Sequence, residues 1–83
     1  IGTIDLLILG EKDGVVIDYK TSLFNKFEDI PVQYITQLAV YRYLVSVLHP
    51  NKKIKCFIVS SINGEFFEIA ESILKENFIN HVV

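Results

Sequence analysis

A chain of 83 residues is a single domain, close to the smallest size at which one hydrophobic core suffices. Half of it is hydrophobic (51%) and the net charge is only −2, which excludes a disordered polyelectrolyte and a protein that coats nucleic acid by bulk positive charge. The single cysteine, Cys56, excludes an internal disulfide, and no CxxC or paired-His spacing suggests zinc.

The opening IGTIDLLIL carries an acid, has no basic leader and is too short an apolar run to cross a bilayer, so it reads as neither signal peptide nor anchor. It reads instead as the first strand, Thr3 to Leu9. Because the chain begins with Ile, directly in that strand, we expect a piece of a longer protein. Glu11-Lys12-Asp13-Gly14 is a turn signal, and Val15 to Lys20 is a second strand forming an antiparallel hairpin with the first. Thr21 to Pro31 is a polar loop that holds Phe24 and Phe27. Val32 to about Leu48 is a long helix, apolar over most of its circumference, which implies cover on more than one side. His49-Pro50-Asn51 ends it, and a short basic lead-in brings the chain to a third strand, Ile54 to Ser60. Asn63-Gly64 turns into a fourth strand, Glu65 to Ile69, and Ala70 to about His81 is a last helix with Ile73, Leu74, Phe78 and Ile79 as its inward candidates. This order predicts an α/β layer in which the crossover helix makes the second and third strands parallel. Cys56, in the run KCFIV, reads as a small core residue.

The second strand, VVIDYKTS, sets an acid and a base where strand residues normally pack. Side chains alternate along a strand, so Asp18 and Lys20 share one face while Ile17 and Tyr19 take the other. On the first strand Asp5 shares a face with Leu7. A two-residue loop at Glu11-Lys12 sets Asp5 directly opposite Asp18. A four-residue loop over Glu11 to Gly14 sets it opposite Lys20 instead, and an odd loop without a bulge sends the two acids to opposite faces. Under either even loop, two carboxylates and an ammonium gather within about 5–8 Å.

Two carboxylates about 5 Å apart repel by roughly 3 kcal/mol at an effective dielectric near 20. One lysine cannot neutralise both, whereas a divalent cation can, and oxygen ligands of this kind suit Mg²⁺ or Mn²⁺. The blander alternative is an ordinary exposed Asp18–Lys20 pair with Asp5 as a strand-end acid.

The set Gly2, Asp5, Asp18, Lys20, Thr21, Gln37 and Tyr41, in the pattern GTID-(12 residues)-DYKT followed by QLAVY, resembles the PD-(D/E)xK nuclease core in its RecB-like branch. The run from Ile30 to Tyr34 and on through QLAVYRYLVSVLHPNKKIKCFIV is similar to the C-terminal nuclease region of AddA-type bacterial helicase-nucleases. The similarity covers about residues 1 to 69. It implies a restriction-endonuclease-like core. It also implies Asp5, Asp18 and the Tyr19 backbone carbonyl as ligands of Mg²⁺ or Mn²⁺, with Lys20 on the side of the attacking water. Gln37 and Tyr41, four apart on one helix face, would brace the site and the DNA beside it. The resemblance further implies DNA as substrate, helicase domains of the parent chain and a second subunit as partners, ATP used only by that helicase, and a bacterial cytoplasmic location.

The family usually supplies a further acid or His from an upstream helix, and a strand before the G-x-x-D strand. Neither stands in this sequence, which points to a fragment whose metal site is incomplete. A non-catalytic DNA- or subunit-docking module of the same fold is therefore the alternative, as is another RecB-like exonuclease. Lys52, Lys53 and Lys55 are a further phosphate candidate, otherwise a solvated edge. Lys26 with Phe24 and Phe27 is a candidate for stacking on single-stranded DNA, otherwise a cover over the helix. A lone Cys56 cannot hold the iron–sulfur cluster that some RecB-like nucleases carry.

Overall fold

A computed structural model describes residues 5–82. Gly2, Thr3 and Ile4, assigned above to the motif and the first strand, lie outside the described residues. The elements are β1 (Leu6–Leu9), β2 (Asp13–Lys20), a 3₁₀ turn (Phe27–Asp29), α1 (Val32–Leu48), β3 (Lys53–Ser60), β4 (Phe66–Ile69) and α2 (Glu71–His81). The four strands form one sheet in the order β1-β2-β3-β4. β2 and β3 are parallel, and the outer pairs are antiparallel. The expected α/β layer with its parallel crossover is the fold, and it is consistent with a restriction-endonuclease-like core in a small chain.

The hairpin turns on the two residues Glu11-Lys12, closed by the Gly10 N–H donating to the Asp13 carbonyl at 2.7 Å. Asp13 and Gly14 therefore belong to β2 and not to the turn. Gly14 leaves room in the strand for its neighbours: a Cβ there would stand 2.8 Å from Ile54 Cδ1 and 3.3 Å from Leu9 Cδ2, and those side-chain ends would have to shift. The second turn, Ser61 to Gly64, does use glycine's freedom, with φ +75° at Gly64. Asn63 Oδ1 accepts the Glu65 N–H there at 3.0 Å.

Among the described residues β1 starts at Leu6, later than the apolar pattern suggests, with Asp5 in a bend ahead of it. The Asp5 carboxylate accepts the Tyr19 N–H at 2.8 Å, taking the place a backbone carbonyl would have.

α1 begins after Pro31 and runs without a break until His49-Pro50, where the proline removes the next donor. One side of it lies on the sheet. Leu38, Ala39, Tyr41 and Val45 are buried there with Val16, Ile54, Cys56 and Ile58. A second side meets α2 through Tyr43 stacked on Phe78 at 4.7 Å and Arg42 paired with Glu71 at 3.2 Å. The cover expected all round is incomplete: Leu44, Val47 and Leu48 are exposed at the far end. α2 buries Leu74 and, unexpectedly, Asn77, while Phe78 is half-buried and Ile73 and Ile79 face outward. No helix among the described residues is long and apolar enough to cross a membrane.

Both helices lie on one face of the sheet. The even-numbered residues of β2, Val16 and Asp18, are buried beneath them, as are their register partners Cys56 and Ile58. The odd-numbered residues point the other way. There Ile17, Tyr19, Phe57, Val59 and Phe66 line an open apolar hollow of about 300 Å³.

Candidate active site

The β1–β2 register pairs Leu6 with Ile17, Leu7 with Val16 and Leu9 with Gly14. Its next step brings Asp5 level with Asp18, as the two-residue loop requires. The two acids therefore meet at the strand ends on the helix-covered side.

Asp18 is 3% exposed. Its Oδ2 lies 3.2 Å from the Lys20 ammonium but out of line for a hydrogen bond, so this buried oxygen has no hydrogen-bond partner. Burial is the first cause of a raised Asp18 pKa, the adjacent Asp5 carboxyl is the second, and Lys20 opposes both. Two neighbouring carboxyls, one of them buried, share the single ammonium of Lys20, which leaves the pair short of positive charge.

Lys20 reaches across from β2 to α1. Its ammonium donates to Gln37 Oε1 at 2.6 Å and sits 4.5 Å from the centre of the Tyr34 ring. Gln37 is thus beside the lysine. Tyr41, one turn on, is buried with its hydroxyl unpartnered. Its pKa is raised by burial first and then by the charges of Asp18 and Asp5. Tyr19, whose side chain faces the open side, turns its N–H towards Asp5. Backbone groups alternate along a strand, and the Lys20 carbonyl faces β3, where it accepts the Ser61 N–H at 2.9 Å. The Tyr19 carbonyl accordingly faces the β1 side, on the edge where Asp5 stands.

Three contributors, Tyr34, Ser22 and Ser60, lie outside the acid, lysine and glutamine positions singled out from the sequence. Tyr34 supplies the ring under Lys20. Its hydroxyl is 3.3 Å from Ser22 Oγ, and its ring meets Phe24 edge-on at 6.0 Å. Ser60, fully buried at the end of β3, donates to the Ser22 carbonyl at 2.6 Å and so fixes the chain just after Lys20. The one legible signal was Tyr34 standing three residues before Gln37, on the same helix face.

The other candidates resolve differently. Phe24 is 1% exposed and serves the core, which removes it as a stacking platform for DNA. Lys52 spends its ammonium on the hairpin turn, donating to the Gly10 carbonyl and, at 2.8 Å, to the Glu11 carbonyl. Cys56 is a core residue, its thiol pushed up to about 12, chiefly by burial.

Among the described residues no group of three or more His, Cys, Asp or Glu side chains converges in a way that can hold a metal ion. Asp5 and Asp18 offer two hard carboxylates, and the buried Asp18 Oδ2 accepts no hydrogen bond beside its ion pair with Lys20. This donor set fits part of the shell of a divalent cation and not the whole of it.

A family model described as the PD-(D/E)XK nuclease superfamily matches residues 1–76. Among curated proteins and among solved structures there is no significant match to this chain.

Proposed function

From the premise that the chain belongs to the PD-(D/E)XK nuclease superfamily, whose members are generally nucleases that use divalent metals, we propose that it is a Mg²⁺-dependent deoxyribonuclease domain. Asp5, Asp18 and the Tyr19 carbonyl are the groups that would hold the ion. The observation that carries this reading is the buried Asp18 oxygen, paired with Lys20 but accepting no hydrogen bond, beside a second carboxylate.

A bound divalent ion would supply the positive charge that the scissile phosphate needs as water attacks it in line. Lys20 contributes a fixed ammonium. Held by Asp18 on one side and Gln37 on the other, it stands where it can meet developing negative charge on the phosphate or orient the attacking water. Gln37 fixes the ammonium through its carbonyl oxygen, and Tyr41 closes the inner wall, its unpartnered hydroxyl near the acids.

We place the domain in an ATP-dependent helicase-nuclease of the RecB-like, AddA-type kind, working on double-strand break ends for recombinational repair in the bacterial cytoplasm. The resemblance of GTID…DYKT…QLAVY and of the run that follows supports this context. DNA is then the substrate, with helicase domains and a second subunit as partners. The convergence of only two carboxylates among the described residues favours a second reading, a docking module of the same fold that does no chemistry.

Calorimetric titration with Mn²⁺ tests the first reading. We expect binding to the wild-type chain and none to Asp18→Asn; equal binding by the two removes the metal site and leaves the docking role.

A further inference from the structure

Lysine is the most mobile of the site's side chains, and an ammonium that is to meet a phosphate in one geometry must be held on every side that solvent does not occupy. Asp18 and Gln37 account for two of its contacts, both through oxygen. The third is the Tyr34 ring face, 4.5 Å below the Nζ. That ring is itself fixed at two points, by Phe24 edge-on against it and by Ser22 at its hydroxyl. Phe24 is buried in the core, and Ser22 is tied by its carbonyl to the fully buried Ser60 on β3. Ser60 and Lys20 are register partners. The brace therefore leaves the sheet beside the lysine, passes through the loop and the helix, and returns to the lysine from below.

We infer that Tyr34 is a positioning residue for Lys20: its electron-rich face, oriented by Phe24 and by the Ser60–Ser22 link, holds the ammonium between Asp18 and Gln37. An aromatic face attracts a cation through its quadrupole, and the attraction grows as water is excluded. The inference rests on the nuclease reading for its purpose, though not for its geometry. It gives Tyr34 a role separate from filling space, since a leucine would fill much of the same volume and offer the ammonium nothing.

The test keeps the ring and changes its charge. Tyr34 is replaced by phenylalanine and by progressively fluorinated phenylalanines, which preserve the shape while draining the π face. The readout is the NMR position of the Lys20 side-chain protons. In the wild type they lie upfield of those of the other lysines because of the ring current. Tyr34→Phe keeps most of this displacement, since the π face and the Phe24 contact remain while the Ser22 bond is lost, and each added fluorine reduces it until the pentafluoro ring abolishes it. A displacement that is absent in the wild type, or that follows the Phe24 ring protons across the fluorinated series, overturns the inference, because Phe24 stands against the same ring and registers the change in its ring current alone, whereas an ammonium held by the π face leaves it as the face is drained. In cleavage assays the pentafluoro variant lowers kcat about tenfold with KM kept, and phenylalanine restores most of it; a flat kcat across the series also overturns the role. Mn²⁺ titration of the same samples separates the two claims. Lost ion binding with the proton series intact sinks the nuclease reading alone, and a proton series that only follows Phe24, with ion binding intact, sinks this one.

Discussion

The two faces of the sheet are made by the same four strands and treat their side chains in opposite ways. On the helix-covered face β2 presents Val16, Asp18 and Lys20, so an acid is buried among apolar residues with a half-buried base beside it. On the open face it presents Val15, Ile17 and Tyr19, apolar groups left partly or largely in water. A stability argument alone would exchange the two sets. Burial of an acid costs free energy unless charge or hydrogen bonds compensate, and here compensation is incomplete. The covered face is where a lowered dielectric makes Lys20 and the two carboxylates act strongly on one another and on whatever enters between them. Charge sits where it is expensive because that is where it has the most leverage.

Lys20→Ala gives the largest expected effect, a loss of about 10²–10⁴ in cleavage rate, read on linear DNA with Mg²⁺. Undiminished cleavage would detach the covered face from any chemistry. Next, Ile58→Ala, a fully buried neighbour of Asp18 in the register, should destabilise the fold by about 2–5 kcal/mol in urea titration. A cost under about 1 kcal/mol would mean that the helix layer is not packed on this face. Mn²⁺ at about a hundredfold over its dissociation constant should then raise stability by about 2.7 kcal/mol in the wild type and leave Asp18→Asn unmoved, as followed by thermal melting.

The pH dependence sharpens the same contrast. Asp18 has a raised pKa in the fold, so the folded state favours its protonated form. Its contribution is favourable at pH below the ordinary carboxylate range and is lost as pH rises through the folded pKa. Asp18→Asn does not titrate, so without metal its stability relative to wild type should increase from acid to neutral pH in urea titrations; a gap that stays constant with pH would contradict the buried-carboxylate picture. The smallest effect belongs to the open face: Phe66→Thr, at a position 67% exposed, should cost under about 1 kcal/mol, mainly from its tilted contact with Phe57. A larger loss would show that this face is covered in solution.

Much of this was legible in the residues. Prolines at 31 and 50 bracket α1 because one ring limits the residue before it and the other removes a donor, and the observed Val32–Leu48 follows from that. Period-two alternation gave the faces of β2, hence the shared side of Asp18 and Lys20. It could not choose between a two-residue and a four-residue loop, since both keep parity. The structure has the two-residue loop, Glu11-Lys12, with Gly14 inside the strand opposite Leu9 and against Ile54. The 3₁₀ turn at Phe27–Asp29 was missed because a three-residue element has no periodicity to read. The Asp29 side chain, accepting from the Asn25 and Lys26 N–H groups, marks it only in hindsight. Ser22 and Ser60 were invisible for another reason, and Tyr34 showed only the helix face it shares with Gln37. Their meeting depends on how closely α1 approaches the end of β2, which no local pattern encodes.

The Asn63-Gly64 turn carries a chemical clock. Asparagine followed by glycine loses its amide when the glycine nitrogen attacks the side-chain carbonyl, an ageing reaction that a flexible chain permits. Here the Asn63 amide is held at both ends, Nδ2 by the Phe24 carbonyl at 3.0 Å and Oδ1 by the Glu65 N–H at 3.0 Å. The attacking Gly64 N–H is itself engaged with the Ser60 carbonyl at 3.0 Å. Isoaspartate should therefore accumulate only as fast as this corner opens, so its rate of formation in storage times the local unfolding of the loop that backs the lysine.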